Sequence, residues 1–418
     1  MTVPLMPSSY RGTLRDRLQL WARSFPRIVE ITMMTFMVLG PIRILQWHFQ
    51  RKRQRGEKVI LCSAYEPAEA MEADEVAQIV PQLNGPARKS KIMKQETYPK
   101  PEYHFAFRRA PLSGNVINGL GETRKRQPTP ILFHVTGKDS QGWDVLDQYL
   151  RIKSTTSRVL RLMVHMLWVG RESRGPIAAT QQPVVDPAEM TTRIKATAHT
   201  LGATQVGVTE LQPEQIFEGA DVPYRYAISC AVPMDREEML LAPSAETAGA
   251  IFDAYTAAAV ISTELAKRIR ALGWDAVSTS TVMDKAEIAH VPIAIAAGLG
   301  QLGKHGSIIT KEYGSNVRLG TVLTNLPLVV DEPVDIGVDD FCANCQICTT
   351  NCPPQAIFDT KQMVRGEEKW FVNFDACFPY FASNHSCAIC IEVCPWSEEG
   401  RGASISQKML EKRAQTSQ

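Results

Sequence analysis

The stretch that decides the fold is residues 297–310, AGLGQLGKHGSIIT, in which Gly298, Gly300 and Gly303 have the spacing G-x-G-x-x-G after an apolar run. In dinucleotide-binding folds this spacing forms a tight turn that opens a helix, and the helix N-terminus faces the pyrophosphate. The residues that follow, 304–314, contain β-branched residues and glycines and predict a loop and a strand. The sequence therefore disfavours a nicotinamide or flavin site, and the glycines need another explanation.

The composition is that of an ordinary globular protein. The chain has 418 residues, of which 44% are hydrophobic and 22% are charged, and its formal net charge is +2. This length is sufficient for two or more packed units. A nearly neutral chain does not present a whole surface suited to nucleic acid. We therefore expect no nucleic-acid partner.

Eight of the ten cysteines lie between residues 342 and 394. The first run has the spacing C-x2-C-x2-C-x3-C-P, and the second ends with C-x2-C-x3-C-P. Disulfide frameworks have variable spacings, and zinc sites seldom use three cysteines at such short equal intervals. The spacing is instead that of bacterial ferredoxins, which bind [4Fe–4S] clusters. It predicts a ferredoxin-like module with two such clusters over residues 336–398.

The cluster ligands follow from the same spacing. In a two-cluster ferredoxin, three thiolates of the run bind one cluster and the fourth binds the other. This crossing pattern predicts two sets of four ligands. The first cysteine set is Cys342, Cys345, Cys348 and Cys394. The second cysteine set is Cys352, Cys377, Cys387 and Cys390, in which Cys377 supplies the fourth ligand. Because eight ligands serve two clusters, we expect Cys62 and Cys230 to be buried thiols without a metal.

The segment ahead of the cysteines alternates helix and strand patterns. Asp186 and Pro187 begin a helix that runs to Thr200, and Ser244 caps a long helix that ends at Leu272 and Gly273. Strands are predicted over residues 204–211, 226–232 and 275–279. We therefore expect an α/β domain over residues 186–335.

Several motifs occur in order ahead of the cysteine runs: a helix with Tyr255, then LGW at 272–274, the glycine-rich loop 297–306, ITKEYG at 309–314, VRL at 317–319 and TNLPL at 324–328. This order resembles the corrinoid-dependent reductive dehalogenases, over residues 186–398. The resemblance implies a nitroreductase-like α/β domain that holds a cobalamin beside the ferredoxin-like module. It also implies that the corrin packs against the loop residues Gly298, Gly300, Gly303, His305 and Gly306, where side chains would collide with the macrocycle.

The function implied by this resemblance is reductive cleavage of a carbon–halogen bond of an organohalide. Electrons would pass through the two clusters to the cobalamin, while the protein supplies orientation and a proton. The resemblance implies that Tyr255 donates this proton, and its helical position predicts an inward face shared with Phe252 and Ala259. A cation would stabilise the resulting phenolate, and Lys304 and Arg318 are both candidates. The electron donor is expected to be a separate ferredoxin, flavodoxin or reductase.

Two other functions remain open at this stage. The related epoxyqueuosine reductases share the corrinoid domain and the clusters but act on tRNA, and Asp284 falls near their catalytic aspartate when counted back from Gly298. Those enzymes commonly extend into a helical repeat domain, whereas residues 399–418 predict a short polar tail. After the strand predicted over residues 275–279 the dehalogenases often have an Asn. The corresponding residue here is Thr281 or Lys285, depending on whether residues are counted from the N-terminal or the C-terminal side of this segment. A cluster-bearing electron carrier without a substrate would need no inward Tyr255.

The first 185 residues carry fewer signals. Residues 28–45 are apolar but include Glu30, Pro41 and Arg43, which suit a spanning helix of about 20 apolar residues poorly. A buried helix with a basic end is one interpretation, and an interfacial helix on an anionic membrane is the other. No leader is evident, so we expect a cytoplasmic protein, with peripheral membrane contact if the second interpretation holds. Residues 119–126 predict a loop.

Overall fold

The structure is a computed structural model that describes residues 113–130, 169–279 and 287–416. Within these parts the fold is mixed α/β, as expected. None of the described helices combines the length and the apolar run that a membrane span requires. The predictions for residues 28–45, Cys62, Thr281, Asp284 and Lys285 lie outside the described residues.

In chain order the described helices are α1 (Gly114–Ile117), α2 (Pro187–Thr200), α3 (Arg236–Met239), α4 (Ala245–Ala271), α5 (His290–Ala296), α6 (Val338–Asn344), α7 (Ile347–Thr350), α8 (Phe374–Ser383), α9 (Ile389–Glu392) and α10 (Arg401–Thr416). The strands are β1 (Gln205–Glu210), β2 (Tyr226–Pro233), β3 (Ala276–Thr279), β4 (Gln301–Leu302), β5 (Ile308–Ile309), β6 (Val317–Thr324), β7 (Gln362–Val364) and β8 (Glu367–Lys369). The three strands predicted ahead of residue 280 are thereby confirmed as β1, β2 and β3.

A four-stranded antiparallel sheet with the order β1-β2-β6-β3 forms the centre of the α/β part. The two central strands β2 and β6 pair over eight residues, from Tyr226 opposite Thr324 to Pro233 opposite Val317. Nearly every residue of both strands is buried, because helices cover both faces of the sheet. The sheet is therefore a rigid support for side chains at its ends.

Helices α2 and α4 pack on one face and begin at the predicted caps. Asp186 accepts hydrogen bonds from the N–H groups of the first turn of α2, and Ser244 Oγ accepts from Thr247 N–H at 3.0 Å at the start of α4. Leu272 ends α4, and Gly273 follows in the left-handed conformation with a φ of 83°. Cys230 is fully buried in this core, where burial raises the pKa of its thiol to about 12.

The glycine-rich stretch forms a β-hairpin rather than a dinucleotide loop. Strands β4 and β5 pair through Gln301 and Ile309, and no helix begins directly after Gly303. A Cβ atom on Gly300 would lie 2.1 Å from the carbonyl oxygen of Ile309, and one on Gly298 would lie 2.6 Å from that of Glu332. Contacts within the protein therefore account for these two glycines without any cofactor.

The cysteine-rich part of the chain ends in a helix that the sequence did not predict. The sequence predicts a polar tail over residues 399–418, whereas the structure has α10 over Arg401–Thr416. Ile405 is buried, and a Cβ atom on Gly402 would lie 2.2 Å from the Lys311 carbonyl oxygen. Arg413 near the end of α10 forms ion pairs with Asp335 and Asp340, which join it to α6 and the segment before it.

Part of the region assigned to the N-terminal segment packs against the cysteine-rich part. The N–H group of Gly114 at the start of α1 donates to Asp375 Oδ1 in α8 at 2.6 Å. Leu120 forms an isolated bridge with Val364 of β7. Residues 119–126 contain only turns and this one bridge, so the predicted loop is confirmed.

Candidate functional site

The structure brings the first cysteine set together. Its four thiols line one small cavity, which Lys304, His305, Phe341, Pro395 and Trp396 also line. Cys342 lies in α6 and Cys348 in α7, while Cys394 precedes a turn of 3₁₀-helix over Pro395–Ser397. The helices α6 and α7 follow one another closely, and packing of Trp396 with Cys342 and Cys394 in one apolar group brings the distant Cys394 to them.

The second cysteine set is also assembled. Cys352, Cys377 and Cys390 pack in one apolar group, and Cys387 is close enough to Cys377 and Cys352 for their charges to interact. Residues 385–388 have φ angles of 50°, 70°, 42° and 67°, a left-handed run that none of these non-glycine residues adopts readily. Such strain persists only where the surroundings impose it, and here it places Cys387 within its set.

Burial favours the protonated form of most thiols in the two sets. Burial raises the pKa of Cys342 to about 11 and those of Cys348, Cys377 and Cys387 to about 12. Backbone N–H groups oppose this shift, including that of Ala356, which donates to Cys352 Sγ at 3.3 Å. Because metals and clusters bind thiolates, loading of these sites must release protons.

Neither set has the geometry of a site for one metal ion. Among the described residues, no group of three or more His, Cys, Asp or Glu side chains is arranged to hold a single ion. A single Zn²⁺ would draw its thiolates to within about 2.3 Å of one point. The assignment of a cluster to each set therefore stays a prediction.

Tyr255 lies beside Arg318 on the side of α4 that faces the cysteine-rich part. The guanidinium carbon of Arg318 lies 5.0 Å from the centre of the Tyr255 ring. Tyr255 is half-buried against an apolar group that includes Ala388 and Ile391. Phe252 and Ala259, about one turn away on either side of Tyr255 along α4, pack against Val169.

Lys304, the other candidate for stabilising a Tyr255 phenolate, lies elsewhere in the fold. Its Nζ donates to the carbonyl oxygen of Cys345 at 2.9 Å and lies 5.0 Å from the centre of the Trp370 ring. It is therefore at the first cysteine set. Of the two candidate cations, the structure has Arg318 in contact with Tyr255.

His305 also lines the first cysteine set, and protein groups occupy both of its ring nitrogens. Its Nδ1 accepts from the N–H of Ser307 at 3.2 Å, which assigns the proton to Nε2, and Nε2 lies 2.9 Å from Ser315 Oγ. Burial lowers its pKa to about 4. His305 is thus a neutral, fully hydrogen-bonded wall of the site, and its predicted contact with a corrin stays a prediction, as do those of Gly298, Gly300, Gly303 and Gly306.

Sequence reasoning missed several buried polar atoms near Tyr255. Arg236 Nη1, Asn316 Oδ1 and Arg318 Nε have no hydrogen-bond partner among the described residues. Asn316 and Arg318 flank Val317 at the start of β6, and the N–H of Met234, two residues before Arg236, donates to the Asn316 carbonyl oxygen. Unpaired buried donors and acceptors are costly, so these three atoms are candidates for contact with a polar ligand.

The chain is similar to curated reductive dehalogenases, although no family model matches it. The tetrachloroethene reductive dehalogenase of Sulfurospirillum multivorans is 28% identical over 287 residues, which cover 56% of this chain and 56% of that protein. The one from Desulfitobacterium hafniense is 32% identical over 177 residues, which cover 39% of this chain and 31% of that protein. An epoxyqueuosine reductase of Lactococcus garvieae is 31% identical over 151 residues, which cover 32% of this chain and 39% of that protein. The chain thus spans about half or less of the length of these relatives.

Solved structures give the same result. A catabolic reductive dehalogenase in complex with 3-bromo-4-hydroxybenzoic acid is 25% identical and superimposes with a TM-score of 0.59, over 65% of this chain and 42% of that one. A second structure, described as suggesting a mechanism for B12-dependent dehalogenation, gives the same values. The resemblance predicted from the motifs is therefore confirmed.

Proposed function

We propose that this chain is a cobalamin-dependent reductive dehalogenase, which cleaves a carbon–halogen bond with electrons relayed through two [4Fe–4S] clusters. The observation that carries the proposal is the contact of Arg318 with Tyr255 next to a module with two four-thiol sets. The curated relatives named as dehalogenases support it. A small electron carrier would have no use for this tyrosine and cation pair.

In this proposal each cysteine set binds one cluster. The first set is Cys342, Cys345, Cys348 and Cys394, and the second is Cys352, Cys377, Cys387 and Cys390. The space that the first set lines and the backbone N–H groups directed at the sulfurs both suit a thiolate-bound cluster. Bound clusters would supply the electron relay between a separate donor protein and the corrinoid.

The corrinoid would lie at the end of the sheet where β6 begins, next to Asn316 and Arg318. The buried polar atoms there include both an acceptor, Asn316 Oδ1, and donors on Arg236 and Arg318. The periphery of a corrinoid carries carboxamides, which offer partners for both kinds of atom. When bound, the corrinoid supplies the low-potential metal chemistry that breaks the carbon–halogen bond.

Tyr255 and Arg318 are proposed to deliver the proton that replaces the halogen. Replacement of the halogen by hydrogen requires one proton at the carbon, and the Tyr255 hydroxyl is the proposed donor. Its loss of a proton leaves a phenolate, and the Arg318 guanidinium over the ring stabilises that anion. Among the described residues the Tyr255 hydroxyl makes no hydrogen bond, which leaves it available to a substrate. The substrate is an organohalide, and we expect a cytoplasmic site of action.

The test is Tyr255→Phe, compared with Tyr226→Phe. Tyr226 also has an arginine over its ring, Arg225 at 5.1 Å, but it lies at the opposite end of β2 from Val232. Protein is prepared anaerobically with cobalamin, and halide release is measured together with iron content, cobalt content and melting temperature. We expect Tyr255→Phe to keep its cofactors and to lose turnover by about a hundredfold or more, the scale of a positioned general acid. Full turnover in a loaded Tyr255→Phe protein would remove Tyr255 from the mechanism.

An epoxyqueuosine reductase-like activity on tRNA is the second candidate. The relative from Lactococcus garvieae supports it, while the discriminating residue Asp284 lies outside the described parts. The same loaded protein is therefore incubated with tRNA that contains epoxyqueuosine. Reduction of that nucleoside without halide release from any aryl or alkyl halide would favour this candidate over the dehalogenase.

A further inference from the structure

Lys304 is a buried cation without a carboxylate partner in the described parts of the chain. Its side chain is 1% exposed; within the described residues its Nζ donates to the Cys345 carbonyl oxygen at 2.9 Å and lies 5.0 Å from the centre of the Trp370 ring. Asp339, which accepts a hydrogen bond from the same Trp370 side chain, pairs with Lys361 at 2.7 Å. Burial of an ammonium group is costly unless an opposite charge compensates it. The position therefore calls for negative charge close to Lys304.

The negative charge is available from the first cysteine set. Lys304 lines the space that these four thiols surround, and its backbone N–H is directed at Cys342 Sγ. Its charge acts on both Cys342 and Cys348. Trp396 lines the same space, and its fully buried indole Nε1–H has no hydrogen-bond partner among the described residues.

The second cysteine set has different surroundings. The groups that act electrostatically on Cys352, Cys377, Cys387 and Cys390 are other cysteines and backbone N–H groups. Within the described residues, no lysine or arginine is among them. The two sets therefore differ in charge although they have the same ligands.

We propose that Lys304 raises the reduction potential of the cluster held by the first cysteine set above that of the cluster held by the second. The proposal rests on the two-cluster module of the proposed function. One electron from an external reductant makes a thiolate-bound cluster more negative, with no bond made or broken, and a nearby cation stabilises that reduced form. A hydrogen bond from Trp396 Nε1 to a cluster sulfur acts in the same direction.

The consequence is an order of potentials along the relay. The first-set cluster holds an electron more readily, and the second-set cluster is the stronger reductant. In this proposal Lys304 does not touch the substrate. It affects the reaction only through the potential of the first-set cluster.

The experiment is an anaerobic redox titration of the cobalamin-loaded protein, followed by the electron paramagnetic resonance of the reduced clusters. The variants are Lys304→Met, Lys304→Arg and the control Lys361→Met. Lys361 also lies over Trp370, at 5.7 Å, but it pairs with Asp339 and does not line the first-set space. Cys352→Ala, which removes a ligand of the second cluster, identifies the signal that remains as that of the first.

We expect the first-set cluster of the unsubstituted protein to be reduced at the higher potential. Lys304→Met should lower that potential by at least about 59 mV, which for one electron is a tenfold change in the ratio of reduced to oxidised cluster. The potential of the second-set cluster should stay unchanged. Lys304→Arg should retain most of the potential, and Lys361→Met should alter neither cluster.

Three results would overturn the proposal. The first is an unchanged first-set potential in Lys304→Met, and the second is an equal shift of both clusters. The third is loss of the first cluster from Lys304→Met with its retention in Lys304→Arg, because Lys304 would then hold the cluster rather than tune it. Iron analysis separates these results from failure of the proposed function, since a protein without about eight irons per chain has no two-cluster module to tune.

Discussion

Replacement of Gly300 by alanine tests why the glycine-rich stretch needs its glycines. The backbone of Gly300 lies outside the left-handed region, so alanine can adopt it without conformational strain. The added Cβ would lie 2.1 Å from the Ile309 carbonyl oxygen, 2.8 Å from its carbonyl carbon and 3.1 Å from Thr310 Cα. All three are backbone atoms held by the pairing of β4 with β5, so they cannot rotate away as a side chain would.

The expected loss of folding stability is at the upper end of the range for overpacked sites. Relief of the contact requires the two strands to separate by more than about 1 Å, and insertion of a methyl group into a packed site costs about 1–3 kcal/mol or more. We expect Gly300→Ala to lower the free energy of unfolding by about 3 kcal/mol. Because Leu302 and Ile309 pack beside Cys342 and Cys394, iron content should fall as well.

The assay is anaerobic unfolding in guanidinium chloride, without added cobalamin. Gly170→Ala is the matched control, because a Cβ there meets no described atom within 4 Å and its φ is not left-handed. The control should change stability by less than about 0.5 kcal/mol. If Gly300→Ala lost less than about 1 kcal/mol in the absence of cobalamin, the contact with Ile309 would not explain this glycine, and close approach of a corrin would again be the better reason.

Three further outcomes are expected. The pKa of His305 is about 4 in the folded chain against 6.5 for the free side chain, so below pH 6.5 the unfolded chain binds an extra proton and the folded state loses stability until about pH 4. Between pH 7 and pH 4, the free energy of unfolding in denaturant should therefore fall by about 3 kcal/mol more for the wild-type protein than for His305→Gln. Equal pH dependence of the two proteins would contradict this. Cys352→Ala should leave about four irons per chain and the signal of the first-set cluster, whereas loss of that signal would refute the crossing assignment. Arg413→Ala should make α10 more sensitive to trypsin than Lys412→Ala does, because Arg413 pairs with Asp335 and Asp340; equal digestion rates would show that these ion pairs do not hold the helix.

The sequence predicted the parts of the fold that depend on local rules. Capping by Asp186 and Ser244 and the ending at Gly273 are set within a few residues of each helix end, so α2 and α4 have the predicted bounds. The structure likewise brings the cysteines of each predicted set close together, as their short spacings in the sequence lead one to expect.

Interactions between distant segments could not be predicted in the same way. Nothing local distinguishes Lys304 from Arg318 as the partner of Tyr255, because the pairing of β2 with β6 and the β4–β5 hairpin decide where each side chain lies. The glycine contacts likewise involve Ile309 and Glu332, which are brought close only by the fold. For α10 a signal was present, since Ile405 and Met409 are four residues apart and pack on one side, but the polar composition of the segment concealed it.

The order of the strands and cysteines along the chain has a consequence for biosynthesis. Every strand of the β1-β2-β6-β3 sheet precedes Cys342, and proteins emerge from the ribosome beginning at the N-terminus. The first set is complete only when Cys394 has been added, 70 residues after the end of β6. The nascent chain can therefore form its sheet before the last of the eight thiols has been translated.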